Sequence, residues 1–166
     1  MGPARADARF CSPKCRAKWN RDMGMPKQMR KAARWVRNDA QKRPLSARTG
    51  RMVDVSNPES WATFEAAKAS PVGAGMGYVI GGNNIGCIDL DHCFRGGQLE
   101  PWAREILDQY PDALLVEVSR SGEGLHIFTE LPEGDAKRIR DGRNIEYYPP
   151  NSVRYVAVTG HKFWRD

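Results

Sequence analysis

Long apolar runs are missing from this chain. Nowhere do the roughly 18 consecutive apolar residues of a membrane-spanning helix occur. The first residues, Met1-Gly2-Pro3-Ala4-Arg5-Ala6-Asp7, also lack the apolar stretch of a secretory signal. Together these absences lead us to expect a cytoplasmic protein without a membrane partner. Cysteine is scarce, with four in 166 residues. In a reducing compartment such cysteines serve as thiols or metal ligands rather than as disulfides. No G-x-x-x-x-G-K-[ST] stretch occurs, which excludes a P-loop motor within these residues.

Acidic residues are nearly absent from the first third. Residues 1–51 hold 15 Lys/Arg against 3 Asp/Glu, a net of +12, whereas the remainder holds 11 against 17, a net of −6. The two sum to the overall +6. A basic arm joined to an acidic-centred domain points to a polyanion, most simply nucleic acid. The plainer reading of such an arm is a solvated basic helix with no partner. The chain divides into a basic arm over 1–40 and a single folded unit over 41–166, with 40% hydrophobic residues to build a core.

Within the arm, Phe10-Cys11-Ser12-Pro13-Lys14-Cys15 places a C-x₃-C pair at a helix start, with Ser12 as N-cap and Pro13 at the first helical position. This looks like half of a zinc knuckle. No Cys or His precedes Cys11, so the four-ligand site of structural zinc is not completed locally, and zinc is not expected. A helical stretch is expected to continue to about Ala40, interrupted at Met23-Gly24-Met25-Pro26. Its tryptophans, Trp19 and Trp35, suit either nucleic-acid contact or docking on the folded unit.

Residues 41–60 read as a loop, followed by a helix from Ser60 with Trp61, Phe64 and Ala67 on one face and Ser56 or Asn57 as cap. Tyr78-Val79-Ile80 reads as a strand. Gly81-Gly82-Asn83-Asn84 is a hairpin signal that makes this strand the antiparallel neighbour of Ile85–Asp91. Arg95-Gly96-Gly97 is a turn, and Pro101 opens a helix to about Tyr110. A second hairpin joins strands over 113–118 and 125–128 through Ser119-Arg120-Ser121-Gly122-Glu123-Gly124. Residues 132–143 read as an exposed basic loop or short helix. Strands Asn144–Tyr148 and Arg154–Val158 close the fold.

The chain is organised around Cys87-Ile88-Asp89-Leu90-Asp91-His92-Cys93. Strand alternation sends Ile88 and Leu90 into the core and puts Asp89 and Asp91 together on the other face. Adjacent carboxylates raise each other's pKa unless a positive charge lies between them. A hard divalent cation, Mg²⁺ or Mn²⁺, fits that need. The plainer alternative is a solvated strand end whose aspartates cap a turn. Two further elements join the pair. The turn at 119–124, with His126 just beyond it, offers hydroxyls, amides and a guanidinium suited to phosphate oxygens. Glu146 can face the same way as the aspartates, and three carboxylates on adjacent strands can serve two metal ions in phosphoryl transfer. Cys87 and Cys93, which flank the pair, are expected to be structural.

In this order the blocks resemble the three motifs of the archaeo-eukaryotic primase superfamily, and more narrowly the primase-polymerase domain of phage and plasmid replication proteins. The resemblance runs over residues 42–163. It includes Lys42-x-Pro44, Trp61-x-x-Phe64, Gly77-Tyr78-Val79-Ile80, the 87–93 block, residues 119–128, Ile145-Glu146 and the last strand.

The resemblance implies an α+β two-layer fold, with an antiparallel or mixed sheet related to the RNA-recognition fold, helices on one face and the active site on the other. It implies Asp89, Asp91 and Glu146 as catalytic metal ligands. Ser119, Arg120, Ser121, Gly122 and His126 would hold the nucleotide triphosphate. Lys42, Arg154, Thr159 and His161 are expected near the phosphates or template. The implied activity is template-directed nucleotidyl transfer by a DNA primase or DNA polymerase in phage, plasmid or mobile-element replication. Its implied partners are single-stranded DNA template, primer, dNTP or NTP and a separate replicative helicase, in the host cytoplasm if phage-encoded. The rival readings are a repair-type or terminal nucleotidyltransferase on the same fold, and a nucleic-acid-binding module with a vestigial site.

Overall fold

A computed structural model describes residues 23–164, together with Ser12, Lys14 and Ala17. Cys11, Cys15 and Trp19 lie outside the described residues, and so does the expected half-knuckle. The described residues form an α+β protein built mostly of antiparallel sheet with few helices. None of its helices is long and apolar enough to cross a membrane.

Met23 and Gly24 both adopt positive φ and break the chain where the Gly-Met-Pro signal predicts. A single helical turn follows, α1 (Lys27–Lys31), and then the strand β1 (Trp35–Asn38). The expected helix to Ala40 is therefore wrong over its last residues. Trp35 and Val36 are bulky residues of strand-favouring type. They are fully buried in a strand paired on one side with β2 (Pro44–Leu45) and on the other with β3 (Gly75–Ile80). Burial and ladder hydrogen bonds outweigh local helix propensity here. The sheet thus takes in part of the stretch read as the basic arm, and β2 lies in the stretch read as loop.

The helix expected from Ser60 is divided. Asn57 caps a 3₁₀ turn, Pro58–Ser60, by accepting a hydrogen bond from the Glu59 amide. The α-helix itself, α2 (Phe64–Ala69), begins after Thr63, whose hydroxyl accepts from the Ala66 amide. Phe64 and Ala67 are buried as their spacing predicts.

Strand β4 (Ile85–Asp91) is not the partner of β3. With β11 (Arg154–Val158), β3 belongs to a four-stranded sheet in the order β11-β3-β1-β2. With β7 (Leu115–Val118), β8 (Leu125–Glu130), β9 (Lys137–Arg140) and β10 (Asn144–Tyr148), β4 belongs to a five-stranded sheet in the order β7-β8-β4-β10-β9. Gly81-Gly82 is therefore a corner between sheets and not a hairpin. Gly82 adopts φ +70°, and its amide donates to Pro150 O, so the connection is spent on turning the chain into the second layer. Residues 132–143 contain an edge strand, β9, instead of a loop or helix.

The remaining elements follow the sequence pattern. The strands β5 (Phe94–Arg95) and β6 (Gln98–Leu99) form a ribbon around Gly96-Gly97, both at positive φ, and α3 (Pro101–Asp108) opens on Pro101. Every strand pair among the described residues is antiparallel.

Period-two alternation divides the five-stranded sheet into two faces with different partners. Ile88, Leu90, Val116, Leu125, Ile127 and Ile145 pack with Ala103, Ile106 and Leu107 of α3. On the other face, Ile85, Cys87, Leu115 and Phe128 pack with Trp35, Tyr78, Ile80, Val156 and Val158 of the four-stranded sheet. An edge-to-face aromatic relay crosses this second core. Trp35 meets Phe64 at 5.0 Å and Tyr78 at 5.2 Å, and Tyr78 meets Phe128 at 6.2 Å. Such pairs add about 0.5–1.5 kcal/mol each beyond area burial. The face that carries Cys87 and Phe128 also carries Asp89 and His126, one pleat further along. The sheets are joined by apolar packing at one end of that face, and the polar residues occupy the other.

Candidate active site

A single cross-strand row organises the polar end. In register, Glu117 of β7 lies opposite His126 of β8, His126 opposite Asp89 of β4, Asp89 opposite Glu146 of β10, and Glu146 opposite Arg138 of β9. Directly opposed residues share a face, so five side chains from five strands line one band of the sheet. Three of them, His126, Asp89 and Glu146, are the expected site residues. Asp91 stands two residues beyond Asp89 on the same face, opposite Asn144.

Glu117 is a site residue that sequence reading missed. It is fully buried, and its carboxylate accepts from the amides of Thr159 and Gly160 and from His126 Nδ1 at 3.0 Å. The signal available was one carboxylate in the apolar run Leu114-Leu115-Val116-Glu117-Val118, since a buried charge requires partners. With Nδ1 committed to Glu117, the other ring nitrogen, Nε2, faces Asp89 Oδ1 at 3.8 Å. Desolvation pulls the His126 pKa down, but the Glu117 hydrogen bond and the charges of Asp89 and Glu117 outweigh it, and the pKa is raised.

Asp89 has a raised pKa. Burial pushes its pKa up to about 6, His126 and Lys42 oppose that rise, and Asp91 and Glu146 add to it. Its Oδ1 is buried and accepts no hydrogen bond among the described residues. A buried, orphaned carboxylate oxygen beside a second carboxylate is what a divalent cation compensates. Asp89 and Asp91 therefore fit Mg²⁺ or Mn²⁺.

Glu146 shares their face but is turned away from them. Its carboxylate pairs with Arg138 Nε at 2.9 Å and with Arg140 Nη2, and it accepts from the Tyr148 hydroxyl. In this arrangement no three His, Cys, Asp or Glu side chains among the described residues converge as a metal-binding group.

Two turns flank the row. The β7–β8 turn is closed by Ser119 N donating to Gly124 O and by Gly124 N donating to Ser119 Oγ, with Gly122 at φ +81° at its open tip. Ser119 and Ser121 hydroxyls lie 3.1 Å apart. Gly124 allows the turn to approach β4, since a Cβ there would lie 2.7 Å from Leu90 O. Across from it, the β1–β2 turn carries Lys42 at φ +63°, and both Asp89 and His126 feel its charge. Arg120 ties the two turns together, donating to Asp39 O and to Asn38 Oδ1. Of these residues, Lys42 and His126 lie close enough for their charges to act on Asp89, and Ser119 Oγ holds Gly124 where the turn meets β4, whereas the Arg120 guanidinium is drawn to Asn38 and Asp39.

The last strand divides its expected residues. Thr159 and the exposed His161 line a cavity of about 390 Å³ together with Arg37, Lys68 and Arg120. The Thr159 hydroxyl donates to Val118 O, which leaves its contribution mainly structural. Arg154 lies at the opposite end of β11, over the Tyr148 ring, and is not brought to that cavity. Cys87 and Cys93 are free and buried, and burial pushes both thiols up, that of Cys93 to about 12. Neither is a nucleophile at neutral pH. His92 pairs on the surface with Glu123 at 3.1 Å.

Comparison of the chain with protein-family models and with curated protein sequences gives no match in either case.

Proposed function

We propose that the chain is the catalytic core of a template-directed nucleotidyltransferase, a DNA primase or DNA polymerase of the archaeo-eukaryotic primase type, acting in phage, plasmid or mobile-element replication. The observation that carries this reading is the Glu117–His126–Asp89–Glu146 row. It sets a raised-pKa aspartate, a second aspartate and a braced histidine beside two turns rich in hydroxyl, amide and cationic groups. The order of these residues along the chain, and the resemblance of the surrounding blocks to primase motifs, support it further. A sheet of the RNA-recognition type is part of the same proposal.

In this reading Asp89 and Asp91 hold the divalent cation, with Glu146 as the third carboxylate. Bound there, the cation would neutralise phosphate charge and lower the pKa of the attacking hydroxyl. Glu117 accepts from Nδ1 and holds the ring with Nε2 toward Asp89, and as an imidazolium His126 would donate from Nε2 to a phosphate oxygen. The 119–124 turn and Lys42 supply hydroxyls and charge for the triphosphate, so that the reacting groups are held in line. The substrates are dNTP or NTP, on a single-stranded DNA template with a primer.

Primer extension on a defined template, with labelled dNTPs or NTPs and added Mg²⁺ or Mn²⁺, tests the reading. Templated products from the wild type, lost in a folded Asp89→Ala variant, are expected. Untemplated addition would point instead to a terminal transferase. No incorporation by a folded wild type that binds DNA would leave a binding module.

A further inference from the structure

Strand β9 carries a charge surplus that the proposed catalysis does not use. Four of the eleven basic residues after position 51, Lys137, Arg138, Arg140 and Arg143, lie within seven residues in an otherwise acidic region. Arg143 is neutralised by Asp141. Arg138 and Arg140 share the face of the cross-strand row and share one carboxylate, Glu146, between them. Two guanidiniums on one carboxylate leave a net positive charge. Their side chains are 64% and 41% exposed, while that of Glu146 is 11% exposed. Arg140 spends Nη1 on Ile139 O and Ile145 O and Nη2 on Glu146, whereas the more exposed Arg138 engages Glu146 through Nε and turns its Nη1/Nη2 fork to solvent, in the geometry that suits phosphate oxygens.

Glu146 sits between two alternatives. Asp89 is its register neighbour on one side and Arg138 on the other. Adjacent strands are about 4.8 Å apart, so a change of side-chain rotamer suffices to exchange one neighbour for the other. The arginines and the Tyr148 hydroxyl attract the carboxylate and Asp89 repels it, which accounts for its present orientation. An anion on the arginines or a cation on the aspartates would each reverse that preference.

We propose that Arg138 and Arg140 form a seat for the phosphate backbone of single-stranded nucleic acid, and that a phosphate bound there releases Glu146 to the Asp89/Asp91 pair. Nucleic acid and divalent cation then bind with positive coupling, and by linkage each tightens the other equally. The proposal rests on the reading of Asp89 and Asp91 as cation ligands.

The test is titration of the full chain with Mn²⁺, followed by electron paramagnetic resonance, with and without a short oligothymidylate. Asp89→Asn serves as the blank for Mn²⁺ held by the oligonucleotide itself. We expect the oligonucleotide to tighten Mn²⁺ binding on the order of fivefold, the low end of typical coupling between sites. The Arg138→Gln/Arg140→Gln variant should show tightened Mn²⁺ binding without oligonucleotide, weakened oligonucleotide binding, and no further response to it. The exposed single variant Arg138→Gln, with a circular dichroism spectrum matching the wild type, should move each quantity part of the way. In a Glu146→Gln background the effects of the oligonucleotide and of the arginine substitutions on Mn²⁺ binding should both vanish, as a double-mutant cycle requires. An arginine effect that persists undiminished in Glu146→Gln would reduce the result to general charge repulsion and overturn the proposal. Mn²⁺ affinity indifferent to oligonucleotide would overturn it as well. No Mn²⁺ binding in any variant would instead remove the cation-site reading on which it stands.

Discussion

Asp89 and His126 face each other across neighbouring antiparallel strands, with His126 Nε2 3.8 Å from Asp89 Oδ1. Behind His126 stands a buried Glu117, and Asp89 Oδ1 is itself buried without a hydrogen bond. The pair is therefore held by partners on one side and left unsatisfied on the other. Its energetics lead to measurable consequences.

Asp89 has a folded-state pKa near 6, above that of an ordinary aspartate. The folded protein accordingly holds an extra proton between about pH 4 and pH 6, and stability falls as pH rises through that window. Asp89→Asn should remove this dependence. Without divalent cations it should be more stable than wild type at pH 8 by about 1–3 kcal/mol, converging with it near pH 4. Urea denaturation at the two pH values measures the difference. Equal gaps at both would refute the buried, unpaired carboxylate.

Glu117 accepts two backbone amides and the His126 ring in full burial. Glu117→Ala strands all three donors and should cost about 3–5 kcal/mol, as removal of one partner from a buried charged pair does. Glu117→Gln keeps the shape but loses the charge that raises the His126 pKa. That raised value contributes stability below the ordinary histidine pKa, a contribution lost as pH rises through the folded value. The deficit of Glu117→Gln should therefore be widest at acidic pH and shrink toward pH 8.

Gly124 brings the β7–β8 turn against β4, where a Cβ would lie 2.7 Å from Leu90 O and 3.0 Å from Ser119 Oγ. The first of these atoms is backbone and cannot step aside. Gly124→Ala should destabilise the fold by about 1–3 kcal/mol, the usual cost of overpacking. It should also weaken nucleotide binding, because the turn must lift away from Asp91. Calorimetric titration of the folded variant with dNTP checks the second effect.

Trp35 is the hub of the aromatic relay between the sheets, and its indole donates to Met29 O at 3.1 Å. Trp35→Ala should cost about 3–5 kcal/mol, as Trp truncation in a core does. A loss below about 1 kcal/mol would mean that residues 35–38 do not form a central strand. This variant separates a tryptophan serving as core from one free to stack on nucleic acid.

Local chemistry made much of the chain legible. Period two in Ile85–Asp91 put Ile88 and Leu90 in one core and Asp89 with Asp91 on the other face, because strand alternation needs only the sequence. Asn57 capping a turn, Gly96-Gly97 closing a ribbon and Pro101 opening a helix are equally local. So is the shared face of Glu146 and Asp89. What local pattern left open was which strands pair. Gly81-Gly82 turns the chain through a corner into another sheet, and Trp35-Val36 is a strand only because β2 and β3 lie beside it. The basic stretch at 137–140 becomes a strand only by pairing with β10. Glu117 looked like one polar residue in an apolar run. Its meaning depends on the amides of Thr159 and Gly160, some 40 residues away, which no periodicity could place beside it. The sequence alone therefore determined which side chains share a face. Tertiary structure decided which faces meet, since long-range pairing and burial set the charge balance that turns Glu146 to the arginines and leaves Asp89 unsatisfied.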